Sequence, residues 1–170
     1  TACKKADLVG GLPSRDSNQK EHIRILFDIA NSLKLPVDLH LDQLNDPDEI
    51  ETQLLLEVLE ETRFDKKVNA LHCVSLAAKP LSYQEEISNR LVENNVGVII
   101  CPSAALSMKP VPKLTQGHNS IAPLQVLHQA GVDLALGVDN IHDLFMPLVD
   151  GDMWFESRLL MEATRCYDLD

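Results

Sequence analysis

The chain has 170 residues, 45% hydrophobic, 24% charged and 4% aromatic, which is the profile of a globular protein and excludes fibrous and disordered classes. Fifteen basic against 26 acidic groups leave a net charge of -11. That balance argues against nucleic acid and against anionic membrane surfaces as partners, because both bind proteins through Lys and Arg. No apolar run approaches the ~20 residues of a membrane helix. The opening Thr1-Ala2-Cys3 has no Met and leads into no signal peptide, so a processed or excised chain is expected. Four scattered cysteines (Cys3, Cys73, Cys101, Cys166), with no CxxC pair, suit a reducing, cytoplasmic setting better than a disulfide scaffold.

In chain order, short β-branched runs alternate with longer amphipathic stretches, the pattern of parallel βαβ units. A strand is predicted over 6–11. A helix capped by Asn18 follows, with Ile23, Leu26, Phe27, Ala30 and Leu33 on its inner face. The second strand, 36–41, runs into Asn45-Asp46-Pro47-Asp48-Glu49, where Asp46 is expected to cap a helix that has Pro47 in its first turn and ends near Thr62. The third strand, 67–72, precedes a helix opened by a capping box at Ser82 to Glu85 and turning Ile87, Leu91 and Val92 inward.

The fourth strand, 96–101, is followed by a long loop over 102–119, whose length suggests a functional segment. A helix from about 120 to 130 stops at Gly131. The fifth strand, 132–137, leads through a polar loop to a last helix over roughly 152–166. The strand starts are spaced by about 30 residues, one βα unit each. Since a (β/α)8 barrel takes ~250 residues, five of its units fill about 156, close to this chain. An open doubly wound sheet of five strands fits the arithmetic equally.

Both architectures keep their sites at the C-terminal ends of strands, and three predicted strands end in a metal-capable side chain. These are His40 in Val37-Asp38-Leu39-His40, His72 in Asn69-Ala70-Leu71-His72, and Asp139 in Leu136-Gly137-Val138-Asp139. A single strand-end His is commonly a hydrogen-bonded structural residue. Two imidazoles and a carboxylate on one sheet edge can instead converge on a divalent cation such as Zn or Fe, leaving positions open for water. Among the other histidines, His118 and His142 fall in loops on the same side. Phe145, Met146, Trp154 and Phe155 cluster after the last strand, as barrel packing, a pocket wall or a subunit contact.

VDLHLDQ (Val37 to Gln43), LHC (Leu71 to Cys73) and GVDNIHDLFMPLVDGDM (Gly137 to Met153) resemble the strand five, six and eight signatures of the amidohydrolase superfamily, and within it those of cytosine deaminase and its relatives. DLVGGLP (Asp7 to Pro13) and AGVDLALG (Ala130 to Gly137) resemble its fourth-strand and last-strand regions. The resemblance covers nearly the whole chain. It implies a partial (β/α)8 barrel of the metal-dependent hydrolase type, strands four to eight, as a single C-terminal unit without the family's HxH pair. It further implies hydrolysis of a C-N bond by a metal-bound hydroxide, with cytosine or a related pyrimidine-like heterocycle as the small-molecule substrate.

By the same resemblance, His40, His72 and Asp139 match metal-site positions, with Asp139 moving the proton and His72 orienting the nucleophile. Gln43 stands where the family has a proton-shuttling Glu, and an amide cannot shuttle a proton at neutral pH. Asn140 stands where the family has a carboxylate. Asn140, His142 and Asp42 complete the expected substrate-binding set, Asp42 being disfavoured by strand alternation. A half barrel leaves sheet edges open, so a homo-oligomer is expected. The competing expectation is a catalytically incomplete module that assembles with another chain.

Overall fold

The computed structural model describes residues 3–62, 64–107 and 121–167. Five strands, β1 (Val9–Gly11), β2 (Val37–Leu41), β3 (Val68–His72), β4 (Val96–Ile100) and β5 (Leu134–Leu136), form one sheet in the order β1-β2-β3-β4-β5. Every pairing is parallel. A doubly wound sheet reverses its strand order at a switch point, and this one does not. Sequential order with right-handed crossovers keeps the helices on one face, which is the winding of a barrel wall.

The helices are α1 (Gln19–Leu33), α2 (Glu51–Thr62), α3 (Leu81–Glu93), α4 (Pro102–Ser107), α5 (Leu124–Ala130) and α6 (Met153–Thr164). Helix α1 packs on α2, α2 on α3 and α3 on α5. Alternate strand residues (Val37, Leu39 and Leu41; Val68 and Ala70; Val98 and Ile100) meet Ile23, Phe27, Leu55, Leu56, Ile87 and Leu91 from the helices in one buried core. Phe27 meets Phe64 edge-to-face at 4.8 Å. The opposite face of the sheet is mixed, with Asp38, His40 and Asn69 beside Leu71 and Ile99, and these residues are half-buried. There Asn69 donates to Asp38 (2.9 Å), and Gly97 leaves the space Asn69 fills, since a Cβ at 97 would stand 2.6 Å from its Oδ1.

All five strands fall within their predicted ranges, but the first and last are only three residues long. Asn18 caps α1 by accepting from the Glu21 amide (3.1 Å), and Gly131 ends α5 in the left-handed region (φ 86°). Three local expectations differ. Helix α2 begins at Glu51, not after Asp46; Asp46 accepts instead from the Asp48 amide in a turn (3.0 Å). Helix α3 follows Pro80 with no side-chain cap, so the capping box at Ser82 does not form, and Val92 is exposed. Part of the expected 102–119 loop is helix α4, its first backbone amides served by Glu156 of α6, which is buried and accepts from the Ser103 amide (3.0 Å). Residues 108–119, His118 among them, lie outside the described residues. No described helix is long and apolar enough to cross a membrane.

Candidate metal centre

His40 is the fourth residue of β2 and lies on the open face of the sheet. Its register partner across β3 is Leu71, so plain alternation would turn His72 to the helix side. The backbone prevents this: His72 and Cys73 are both left-handed (φ 73° and 50°), and the turn brings the His72 ring to His40. His40 Nδ1 lies 2.9 Å from His72 Nε2, with ring centroids 5.0 Å apart. Asp139, also left-handed (φ 69°), follows β5 and sets its Oδ2 4.0 Å from His72 Nε2. Left-handed non-glycine backbone is costly; four of the eight such described residues lie at the ends of β2 (Asp42, φ 48°), β3 (His72, Cys73) and β5 (Asp139), while Lys34 and Arg165 are helix C-caps.

His72 is buried, and burial followed by the charge of His40 pushes its pKa down to about 4. At neutral pH its ring is therefore neutral, with a lone pair available. Nε2 is the ring nitrogen that faces His40 and Asp139, while Nδ1 is buried without a hydrogen-bond partner. Burial, and more weakly the Asp143 carboxylate, pushes Asp139 up, against the pull of His40. One donor atom from each of His40, His72 and Asp139 lies within 4.8 Å of the other two. Small side-chain rotations would bring them to the spacing of ligands around one cation held at about 2.0–2.2 Å. Two nitrogens and one oxygen suit Zn or Fe and leave coordination positions free, so the residues fit a divalent metal.

The other expected residues are placed differently. Gln43 is half-buried and donates through Nε2 to Ser14 Oγ (3.3 Å), joining the loops after β2 and β1. The Asn140 amide donates to Asp143, whose Oδ1 also accepts from the Phe145 and Met146 amides (2.9 and 2.8 Å). His142 is exposed and bonded within its own loop, Nδ1 to the Pro147 carbonyl at 3.1 Å. Asp42 is not grouped with the two histidines. Its carboxylate is buried and caps α2, accepting from Glu51 N (2.7 Å) and Thr52 N (3.1 Å). This is the cap that Asp46 does not provide.

Two neighbours of the site escape a reading by motif. Cys101, immediately after β4, is buried; burial first, then Asp139 and Glu156, pushes its thiol up to about 12. Its place at the end of a predicted strand was the available signal. Ser14, the partner of Gln43, lies in the short 3-10 turn Pro13–Arg15 and carried none. An open groove of about 250 Å³ along Ala77, Gln84, Ile121, Leu124 and Thr164 contains none of the three metal-capable residues.

No family model matches the chain. An uncharacterized protein of Haemophilus influenzae is 30% identical over 121 residues, covering 69% of this chain and 44% of that protein. The N-isopropylammelide isopropyl amidohydrolase of Pseudomonas sp. (strain ADP) is 24% identical over 86% of this chain and 34% of its own length. The crystal structure of 5-methylcytosine deaminase from Klebsiella pneumoniae superposes with a TM-score of 0.87 at 21% identity, over 97% of this chain and 41% of that one. The chain shares the fold of that part of 5-methylcytosine deaminase. The chain spans less than half the length of each of these three proteins.

Proposed function

We propose that the chain carries part of the active site of a metal-dependent hydrolase that deaminates a ring amidine, cytosine or a related heterocycle. The observation that supports this best is the meeting of His40, His72 and Asp139 at three strand ends of a fold shared with 5-methylcytosine deaminase. In this reading the chain is strands four to eight of the barrel, and the remaining ligands of the family's set come from outside these 170 residues.

His40 and Asp139 would hold the cation, with His72 beside them as a third donor. Bound there, the metal supplies a water acidic enough to lose its proton near pH 7. Asp139, 19% exposed at its side chain, would serve as the base that takes up a proton and hands it to the leaving ammonia. His72, neutral at working pH, orients the attacking oxygen. Asn140, oriented by Asp143, and the Gln43 amide offer hydrogen bonds to the ring but no proton. The absence of a carboxyl at 43 points to a substrate whose ring nitrogen needs less help from the protein.

The test is ammonia release from cytosine, isocytosine and triazine-type substrates by the full-length protein, together with its metal content. Release that falls to background in Asp139→Asn supports the reading; no release from a metal-loaded protein contradicts it. Gln43→Glu is expected to raise turnover of cytosine selectively.

A second reading, a non-catalytic module assembled with another chain, is favoured by one feature. Ala135 in edge strand β5 is exposed, and Leu144, Phe145, Leu148 and Trp154 are 80–91% exposed in the segment that follows. So much exposed apolar surface marks an interaction face. A native mass that stays monomeric at micromolar concentration would count against it.

A further inference from the structure

We infer that the buried carboxylate pair Asp42 and Glu51 is the positioning device that holds the His40 and His72 rings together. The inference rests on the reading of those rings as a metal site. Both acids are almost wholly buried, and among the described residues neither is paired with a cation in a salt bridge, an arrangement that packing alone does not require. What they do is reciprocal. Glu51 Oε2 accepts from the Asp42 amide (2.6 Å), while Asp42 Oδ1 accepts from the Glu51 amide (2.7 Å) and its Oδ2 from the Thr52 amide (3.1 Å). The other Glu51 oxygen is held by Gln19 of α1 (3.0 Å).

The result is a closed clamp between the end of β2 and the start of α2, fixing Asp42 in a left-handed conformation two residues after His40. The clamp extends to β3. The Asp42 carbonyl accepts from the Ser75 amide (3.0 Å) and the Leu41 carbonyl from the Cys73 amide (3.1 Å), so the same turn fixes the left-handed pair His72 and Cys73 that redirects the His72 ring. Thr52 Oγ1 against Cys73 Sγ (3.6 Å) adds a side-chain contact between α2 and that pair. Asp42 and Glu51 are bonded to backbone amides and to Gln19 and not to either histidine ring. They act through backbone geometry, as supporting partners of a metal site do.

Three variants of the full chain separate this role from general structural support. Glu51→Gln keeps an acceptor at the same reach for the Asp42 amide. Glu51→Asp is one methylene too short for it. Asp42→Asn keeps the shape but offers one acceptor oxygen in place of two. Zinc affinity is read by competition with a chromophoric chelator, and the His40 and His72 ring nitrogens by NMR of the metal-free protein. Glu51→Gln should bind zinc about as the native chain does, and Glu51→Asp about 10 to 100-fold more weakly with shifted His72 ring signals.

Should Glu51→Asp not accumulate as folded protein, Asp42→Asn takes its place with the same expectation. Equal zinc affinity and unchanged ring signals in the shortened variant overturn the inference. A full-length native protein that binds no zinc refutes the metal reading instead, and the metal-free ring signals still decide whether the clamp sets the ring geometry.

Discussion

Gly137 ends the sheet two residues before Asp139, and replacing it with Ala is a sharp probe of how tightly the site is built. A Cβ there would stand 3.0 Å from both Cys101 Sγ and Ile99 Cγ2. Such contacts are tighter than ordinary packing, so one or both neighbours must retreat by a few tenths of an ångström. Cys101 is buried and packed with Ala104 and Met146, which leaves it little room. Overpacking of this kind costs about 1–3 kcal/mol. For a chain of this size that lowers the thermal midpoint by roughly 2–4 °C for each kcal/mol. Because the strain falls on the end of β5, Asp139 should also move from its place 4.0 Å from His72.

The assay is a double-mutant cycle by thermal and urea unfolding, with Cys101→Ala as the second change. Removing Sγ opens half of the clash, so the two substitutions should couple favourably by at least about 0.5 kcal/mol. A Gly137→Ala chain as stable as the native one, with no coupling to position 101, would refute the packing described at the β4 and β5 ends.

Burial pushes Glu49 up to about 8 and Glu51 up to about 7. Unfolded, both titrate near 4.3, so the folded chain holds extra protons between these limits and stability falls as pH rises through 7 to 8. Glu49→Gln keeps an acceptor for the Leu44 amide and removes that titration, so the variant should gain on the native chain by about 2 kcal/mol between pH 5 and pH 9, allowing for partial exposure; parallel pH profiles would sink the assignment. Thiol labelling at pH 8 should modify Cys3 and Cys166, which are half-buried, well before Cys73 and Cys101, whose buried thiols are pushed above the ordinary range. Early labelling of Cys101 by peptide mapping would contradict the closed end of β4.

The strands were legible because both kinds of signal agreed: β-branched runs ended at His40, His72 and Asp139, and the spacing allowed a βα unit between each pair. Sequence arithmetic left the barrel and the doubly wound sheet level, and only the unreversed strand order separates them. Asp46-Pro47 carries every local mark of a helix start. The helix nevertheless begins at Glu51, because Asp42 at the end of β2, nine residues upstream, offers both oxygens to its first amides and this contact outweighs the propensity at Asp46. The meeting of His40 with His72 was hidden for a related reason. Alternation places Leu71 beside His40, and the left-handed turn at His72 that reverses this has no composition signal, since neither His72 nor Cys73 is a glycine or asparagine. Gln43 and Asn140 were visible as amides, but their partners Ser14 and Asp143 follow from loop geometry alone.

X-ray absorption spectroscopy of the chain loaded with one equivalent of zinc tests directly whether His40, His72 and Asp139 form one divalent-cation site. Nitrogen and oxygen ligands at about 2.0–2.2 Å are expected, with the outer scattering of imidazole diminished in His40→Ala. Sulfur at about 2.3 Å, or an unchanged spectrum in His40→Ala, would place the metal elsewhere and contradict that site.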